Sequence, residues 1–105
     1  MANKQPLVTF LFPTGGETVS GVLPITVQAT DPDGKIAWVY LVQSDPLTAK
    51  HVTIAKLPGN DTGLYTFDWD TTTVPDGLRL LSAAAIDNGG KRMVDRAWII
   101  IKNAV

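Results

Sequence analysis

The sequence has 105 residues, a formal net charge of −1 and no cysteine. This length suits one small domain, and the charge argues against a nucleic-acid binder, which would carry a basic stripe. The missing cysteines exclude disulfides and thiolate metal sites. No run approaches the ~20 apolar residues of a membrane span, and Met1 to Pro6 lacks the apolar core of a signal peptide. We therefore predict a single domain over residues 1–105 that neither binds nucleic acid nor inserts into a membrane.

Short apolar runs follow one another along the chain, separated by turns rich in Pro, Gly, Asp and Asn. Their spacing of roughly 8–12 residues, without any helical period, predicts an all-β sandwich or barrel. The predicted strands are A (Leu7 to Phe12), B (Val22 to Thr30), C (Ile36 to Gln43), a fourth strand (His51 to Leu57), E (Leu64 to Trp69), F (Leu78 to Ile86) and G (Met93 to Lys102).

Strand E shows the clearest pattern. Tyr65, Phe67 and Trp69 alternate with polar residues, which predicts one aromatic face directed into a core. The turn that follows contains a Pro and a Gly that are unsuited to a ladder interior. We expect Phe67 and Trp69 to be buried. We also expect Asp70 and Asp76 to accept hydrogen bonds from backbone N–H groups in the corner between strands E and F.

A set of short motifs occurs in a fixed order along nearly the whole chain: Pro6-Leu7-Val8, Phe12-Pro13, Gly16 to Gly21, Ala29-Thr30-Asp31, Tyr65 to Thr72, Pro75-Asp76-Gly77, and Ala83 to Asp87 with Gly90. Their order and spacing resemble the bacterial immunoglobulin-like modules that serve as accessory domains of secreted and cell-surface proteins. The resemblance implies an antiparallel, seven-stranded immunoglobulin-like sandwich that acts as a spacer, support or binding module. It implies no catalytic activity, and a secreted or cell-surface location within a larger protein. We expect no cofactor.

The chain departs from that pattern in strands C, F and G, whose outward positions are apolar. In an immunoglobulin-like sandwich these three strands are neighbours in one sheet, and an exposed apolar area of several hundred Å² usually marks an interface. The register implied by the resemblance directs inward Ala37, Val39, Leu41, Leu81, Ala83, Ala85, Asp87, Ala97, Ile99 and Ile101. The predicted interface residues are Trp38, Tyr40, Val42, Leu80, Ile86, Trp98 and Ile100.

Two alternatives to this interface stay open at the level of sequence. A register slip of one residue would turn Trp38 into the core, and strand C alone does not exclude it because both of its faces are apolar. In the second alternative, Trp38, Tyr40 and Trp98 stack on sugar rings, and the chain is a carbohydrate-binding module. We favour a protein partner, either a neighbouring domain or a second copy, over a polysaccharide because few hydrogen-bonding side chains accompany the aromatic residues.

The polar residues predict no catalytic site. His51 is the only histidine, lies in a predicted edge strand and has no nucleophile-elbow sequence to serve. Asp68 and Asp70 share one strand face but not the cleft that a pair of catalytic carboxylates needs. Asn60-Asp61-Thr62 matches a glycosylation sequon, which is weak evidence in a turn.

Three turns are expected at one end of the sandwich, where they would gather Asp31, Asp33, Asp61, Asp87 and Asn88. Calcium takes about six to eight oxygen ligands from such groups. In the alternative, Asp31 and Asp87 accept hydrogen bonds from backbone N–H groups of their turns, as Asp commonly does. We favour the turn role and expect no metal.

Overall fold

The computed structural model describes residues 5–32 and 34–104. Their elements are β1 (Leu7–Phe12), β2 (Glu17–Val19), β3 (Val22–Thr30), β4 (Ile36–Ser44), β5 (His51–Pro58), β6 (Leu64–Asp70), a 3-10 turn (Thr71–Thr73), β7 (Gly77–Asp87) and β8 (Arg92–Ile101). In this part of the chain no helix is long and apolar enough to cross a membrane. Most of the segment on which the absence of a signal peptide was predicted, Met1 to Lys4, lies outside the described residues.

The strands form two sheets that pack face to face. One sheet has the order β1-β3-β6 and the other has the order β2-β8-β7-β4-β5. Paired strands are antiparallel, except that β2 runs parallel to β8. The predicted all-β, immunoglobulin-like sandwich is therefore confirmed, with β4, β7 and β8 corresponding to strands C, F and G.

The described residues contain eight strands where the sequence predicted seven, because β2 was missed. Its three residues are too few to show an alternating pattern, and two of them are polar. The turn before it is fixed locally, since the Glu17 carboxylate accepts hydrogen bonds from the backbone N–H groups of Thr14 at 2.7 Å and Gly15 at 2.6 Å. This turn carries the chain from the three-stranded sheet to the edge of the five-stranded sheet.

The core follows the period of two along the central strands. Trp69 is only 5% exposed and Tyr65 is also buried, as the pattern in strand E predicts. Phe67 is only half-buried, so the expectation that it is fully buried was wrong. It lies in β6, which is at an edge of the three-stranded sheet and pairs with β3 alone. Other core residues are Leu23, Ile25, Val27, Ala29, Val39, Leu41, Leu81, Ala83, Ala85, Ala97, Ile99 and Ile101.

A β-bulge at the start of β4 changes one predicted position. Two successive residues of β7 pair with Ile36 and Trp38, which leaves Ala37 as the extra residue. Ile36 takes the inward position and is buried, whereas Ala37, which was predicted inside, is half-buried. Beyond the bulge Val39 and Leu41 point inward as predicted.

The corner between β6 and β7 holds both predicted carboxylates in hydrogen bonds, but with different partners. Asp70 Oδ1 accepts a hydrogen bond from the N–H of Thr72 at 3.0 Å, within the corner as predicted. The Asp76 carboxylate instead accepts the N–H groups of Asn103 at 3.0 Å and Ala104 at 2.9 Å. These bonds, first that of Ala104, lower the pKa of Asp76. Asp76 thus fastens the segment after β8 and does not cap the corner.

Candidate interaction surface

All seven predicted interface residues lie on the outer face of the five-stranded sheet, opposite its core positions. We call them the aromatic face: Trp38, Tyr40, Val42, Leu80, Ile86, Trp98 and Ile100. Trp38 is 38% exposed, Trp98 49% and Ile100 39%, and the other four are half-buried by their neighbours. Trp38 is exposed on this outer face, so the alternative that places it in the core is wrong. The role of this face as an interface stays a prediction.

Strand pairing sets the layout of the aromatic face. Trp38 lies beside Ile86, and Trp98 lies beside Leu80. Ile86 and Leu80 are six residues apart on β7, so the two tryptophans are separated by about 20 Å along the strands. The middle of the face carries the small side chains of Ser82 and Ala84. Tyr40 and Val42 on β4 lie beside these two small residues, so the face is low only along the middle of β7.

A shallow hollow of about 370 Å³ lies on the face toward Ile86. Its walls are mostly apolar. The hydroxyl-bearing Thr53 lies on the β5 side and Arg92 lies on the β8 side. The lining residues are Tyr40, Val42, Thr53, Ala84, Ile86 and Arg92. A hollow of this kind can accept a protruding side chain from a partner.

Cations accompany the aromatic face. The Lys56 ammonium lies 4.2 Å from the ring centre of Trp38 and 5.5 Å from that of Tyr40. Arg92 pairs with Ile86 across the ladder, and Arg96 pairs with Ser82. The sequence analysis missed these residues. Both arginines share the alternation of Trp98 along β8, and that signal would have placed them on the same face.

The predicted turn end is assembled, and the Asp87 carboxylate is engaged in its own turn. The N–H of Asn88 donates to the carbonyl of Lys35 at 2.9 Å, which joins two of the turns. Asp87 Oδ1 accepts the N–H groups of Gly89 at 2.9 Å and Lys91 at 2.8 Å. Asp31 and Asp61 line a hollow of about 230 Å³ beside them. Among residues 5–32 and 34–104 no group of three His, Cys, Asp or Glu could hold a metal ion, and Asp33 lies outside the described residues.

An ion pair between a buried arginine and a partly exposed aspartate lies near the opposite end of the sandwich and was not predicted. Arg79 is only 7% exposed, and its guanidinium Nη1 lies 3.0 Å from Asp45 Oδ2. The guanidinium also donates to the carbonyl of Pro75 at 3.3 Å. The N–H of Leu47, and then Arg79, lower the pKa of Asp45. Arg79 has the same alternation as the buried Leu81, which was the available signal.

The remaining polar candidates have structural positions. His51 is exposed at the start of β5, the outer strand of the five-stranded sheet, as predicted for a surface histidine in an edge strand. The Asn60 side chain closes its turn, accepting the N–H groups of Thr62 at 3.1 Å and Gly63 at 3.0 Å. Its amide also donates to the carbonyl of Leu64 at 2.8 Å. The amide nitrogen of the sequon is therefore engaged in the turn.

Comparison with solved structures supports the fold. The endo-beta-1,4-mannanase from Thermotoga petrophila superposes with a TM-score of 0.76 and 18% identity, covering 96% of this chain and 20% of that one. Fibronectin(III)-like modules of Clostridium thermocellum CbhA superpose with a TM-score of 0.71 and 24% identity, over 95% and 48% of the two chains. The PKD1 domain of Vibrio anguillarum Epp gives 0.53 and 13%, over 98% and 100%.

The chain spans a fifth of the mannanase and about half of the CbhA structure. At these identities the likeness establishes the fold alone. Comparison with curated protein sequences gives no significant match. The family model of the bacterial Ig domain, however, matches residues 6–83, which is most of the chain. The chain therefore belongs to the bacterial Ig domain family.

Proposed function

We propose that this chain is a non-catalytic accessory or spacer module of a larger extracellular protein, secreted or at the cell surface. In this proposal the aromatic face packs against a neighbouring domain or a second copy. The observation that carries it is the exposure of Trp38, Trp98 and Ile100 together on one face. Large contiguous apolar patches are uncommon on monomers and mark interaction sites. Trp and Tyr are also the side chains in which interfaces concentrate their binding energy.

The arrangement of the carboxylates supports a non-catalytic role. A carboxyl that acts as a general acid near neutral pH needs a raised pKa. Hydrogen bonds instead lower the pKa values of Asp45, Asp70 and Asp76, which keeps these groups ionised. Asp70 caps a 3-10 turn, and Asp76 accepts a hydrogen bond from the backbone N–H of Asn103. Both carboxylates therefore have structural roles.

The size of the aromatic face favours a tethered partner. From Trp38 to Ile100 the face is about 27 Å long and 15 Å wide by strand geometry, on the order of 400 Å² in outline. Stable complexes between free proteins bury about 800 Å² on each partner. A smaller face binds weakly in solution, but a linker raises the effective concentration of a neighbouring domain to about the millimolar range. A domain in the same chain therefore suits this face best.

The second candidate function is carbohydrate binding through the same aromatic residues. The solved structures of similar fold include a mannanase and modules of CbhA. Sugar stacking needs an accessible ring, but Lys56 lies over Trp38. The middle of the face offers few neutral hydrogen-bonding groups, chiefly the hydroxyls of Tyr40, Ser82 and Thr53. These features favour a protein partner over a sugar.

Sedimentation equilibrium and chemical denaturation of Trp38→Ser and Trp98→Ser test the proposal. We expect either substitution to weaken the self-association of the domain by about 2 kcal/mol or more, while the fold is retained. The matched control is Trp69→Ser, which should reduce fold stability instead because Trp69 is in the core. Unfolding of Trp38→Ser or Trp98→Ser would contradict the proposal. If the domain stays monomeric at high concentration and its tryptophan fluorescence responds to an oligosaccharide, carbohydrate binding is supported instead.

A further inference from the structure

The charges beside the aromatic face have one sign. Lys56, Arg92 and Arg96 lie on the same side of the sheet as the aromatic residues. None of the three forms an ion pair within the part of the chain that the structure describes; the ion pair found there joins Arg79 to Asp45. Among the described residues of β4, β5, β7 and β8 that point outward with the aromatic face, none is Asp or Glu. The face is therefore both apolar and cationic.

The opposite side of the sandwich lacks cations and carries exposed carboxylates. The strands β1, β3 and β6 contain no Lys or Arg. Asp68 and Asp70 are exposed on the outer side of β6. The net charge of −1 thus conceals a separation of charge between the two faces. Two aromatic faces brought together would oppose cation to cation, and like charges placed across an interface disfavour it.

The hollow adds a geometric requirement. Tyr40, Val42, Ala84 and Ile86 form apolar walls, and Arg92 lies at the rim. If a side chain of the partner fills this hollow, the residues next to it on the partner lie beside the guanidinium of Arg92. Arginine binds carboxylates through paired N–H groups in a fixed geometry. The hollow therefore fits an apolar side chain flanked by a carboxylate.

We propose that the aromatic face docks an acidic protein surface, one whose apolar centre fills the hollow and whose carboxylates contact Arg92, Arg96 and Lys56. This inference rests on the proposed function and specifies the partner. It disfavours the identical face of a second copy, because the cations of the two faces would repel each other. A protein surface suits the face better than an anionic polysaccharide because Lys56 covers the ring of Trp38, and Leu80 is better matched by apolar side chains than by hydroxyl groups.

A charge-reversed copy of this chain provides a defined acidic probe. The variant R92E/R96E keeps the apolar residues of the aromatic face and replaces two of its cations with carboxylates. We expect the natural chain and this variant to form a 1:1 complex in sedimentation equilibrium at low salt. The mixed complex should be about tenfold tighter than self-association of either chain alone, as two or more partly screened charge pairs would give. Raising the salt concentration should weaken the mixed complex.

The matched control is K35E/K50E, which makes the same change in net charge. Lys35 and Lys50 are exposed in turns outside the aromatic face. This control should not bind the natural chain, and Trp98→Ser in the natural chain should abolish binding of R92E/R96E. Circular dichroism of each variant verifies that it is folded.

The outcomes separate the two proposals. If the natural chain dimerises through this face as tightly as the mixture does, the proposed function survives and the acidic partner is refuted. If neither the mixture nor the single chains associate at about millimolar concentration, which is what a linker would supply, both proposals fail. If the mixture stays monomeric but the natural chain binds polygalacturonate, and R92E/R96E does not, an anionic polysaccharide replaces the protein partner. Equal binding of K35E/K50E and R92E/R96E also refutes the inference.

Discussion

The ammonium group of Lys56 lies over the ring of Trp38, 4.2 Å from its centre. The same ammonium is 5.5 Å from the ring centre of Tyr40. Strand pairing explains this arrangement, because Lys56 is directly opposite Tyr40 in the ladder between β4 and β5. One cation thus contacts two aromatic side chains of the aromatic face.

Replacement of Lys56 by Ala should have a small effect on the fold. Cation–π contacts at exposed sites contribute about 0.5–1 kcal/mol, so we expect a loss of that size in the free energy of unfolding. The tryptophan fluorescence emission should change as well, because Trp38 loses the ammonium group that lies over its ring. Lys50 is exposed and lies outside the aromatic face. The control Lys50→Ala should therefore leave the free energy of unfolding and the fluorescence emission unchanged. A loss of several kcal/mol for Lys56→Ala would contradict this account of the contact.

Truncation of the aromatic residues of β6 should distinguish full from partial burial. Trp69→Ala should cost about 3–5 kcal/mol because it leaves a cavity in the core. Phe67→Ala should cost less, since Phe67 is only half-buried at the sheet edge. Urea denaturation measures both values. An unchanged midpoint for Trp69→Ala would show that the face of β6 is oriented the other way.

The Asp76 carboxylate should make the free energy of unfolding depend on pH. The N–H groups of Ala104 and Asn103 lower its pKa in the folded state, so the folded value lies below that of the unfolded chain. The stabilisation is then complete above the unfolded pKa of about 3.9 and is lost as pH falls through the folded pKa. Asp76→Asn should be less stable than the natural chain at pH 7, and the difference should shrink below about pH 4.

Thermal denaturation between pH 2 and 7 measures this convergence. Asp68→Asn removes one exposed carboxylate without these two hydrogen bonds and serves as the control. A stability difference for Asp76→Asn that stays constant over the whole range would argue against a role for its charge.

Calcium should leave the melting temperature unchanged. A ligand that binds only the folded state raises it by mass action, but the Asp87 carboxylate is already used by the N–H groups of Gly89 and Lys91. Asp87→Ala should destabilise the domain equally with and without millimolar calcium. A calcium-dependent rise that disappears in Asp31→Ala would overturn this interpretation.

The strands could be predicted from the sequence because their signals are local. Alternation and turn residues place β1 and β3 at their observed bounds, Leu7–Phe12 and Val22–Thr30. The short β2 exists through its pairing with β8, which is remote in sequence. The bulge at Ala37 and the bonds of Asp76 to the segment after β8 likewise depend on distant residues. The residues adjacent to them in sequence carry no signal that predicts these contacts.

Side-chain alternation predicts which residues of the aromatic face share a side, and the resemblance to immunoglobulin-like modules predicts that this side points outward. The hollow and the position of Lys56 could not be predicted, since both depend on which residues become lateral neighbours across strands. Arg79 was missed for another reason. It shares the inward alternation of Leu81, but a charged side chain is buried only when it is paired, and its partner Asp45 follows a different strand.

The most direct test of the central claim is an NMR titration of the natural chain with R92E/R96E, followed on the three indole N–H signals. The account predicts that the signals of Trp38 and Trp98 shift while that of Trp69 does not, because the first two lie on the aromatic face and the third lies in the core. If the signals of Trp38 and Trp98 stay in place while residues on the outer face of β6 shift, the aromatic face is not the docking surface.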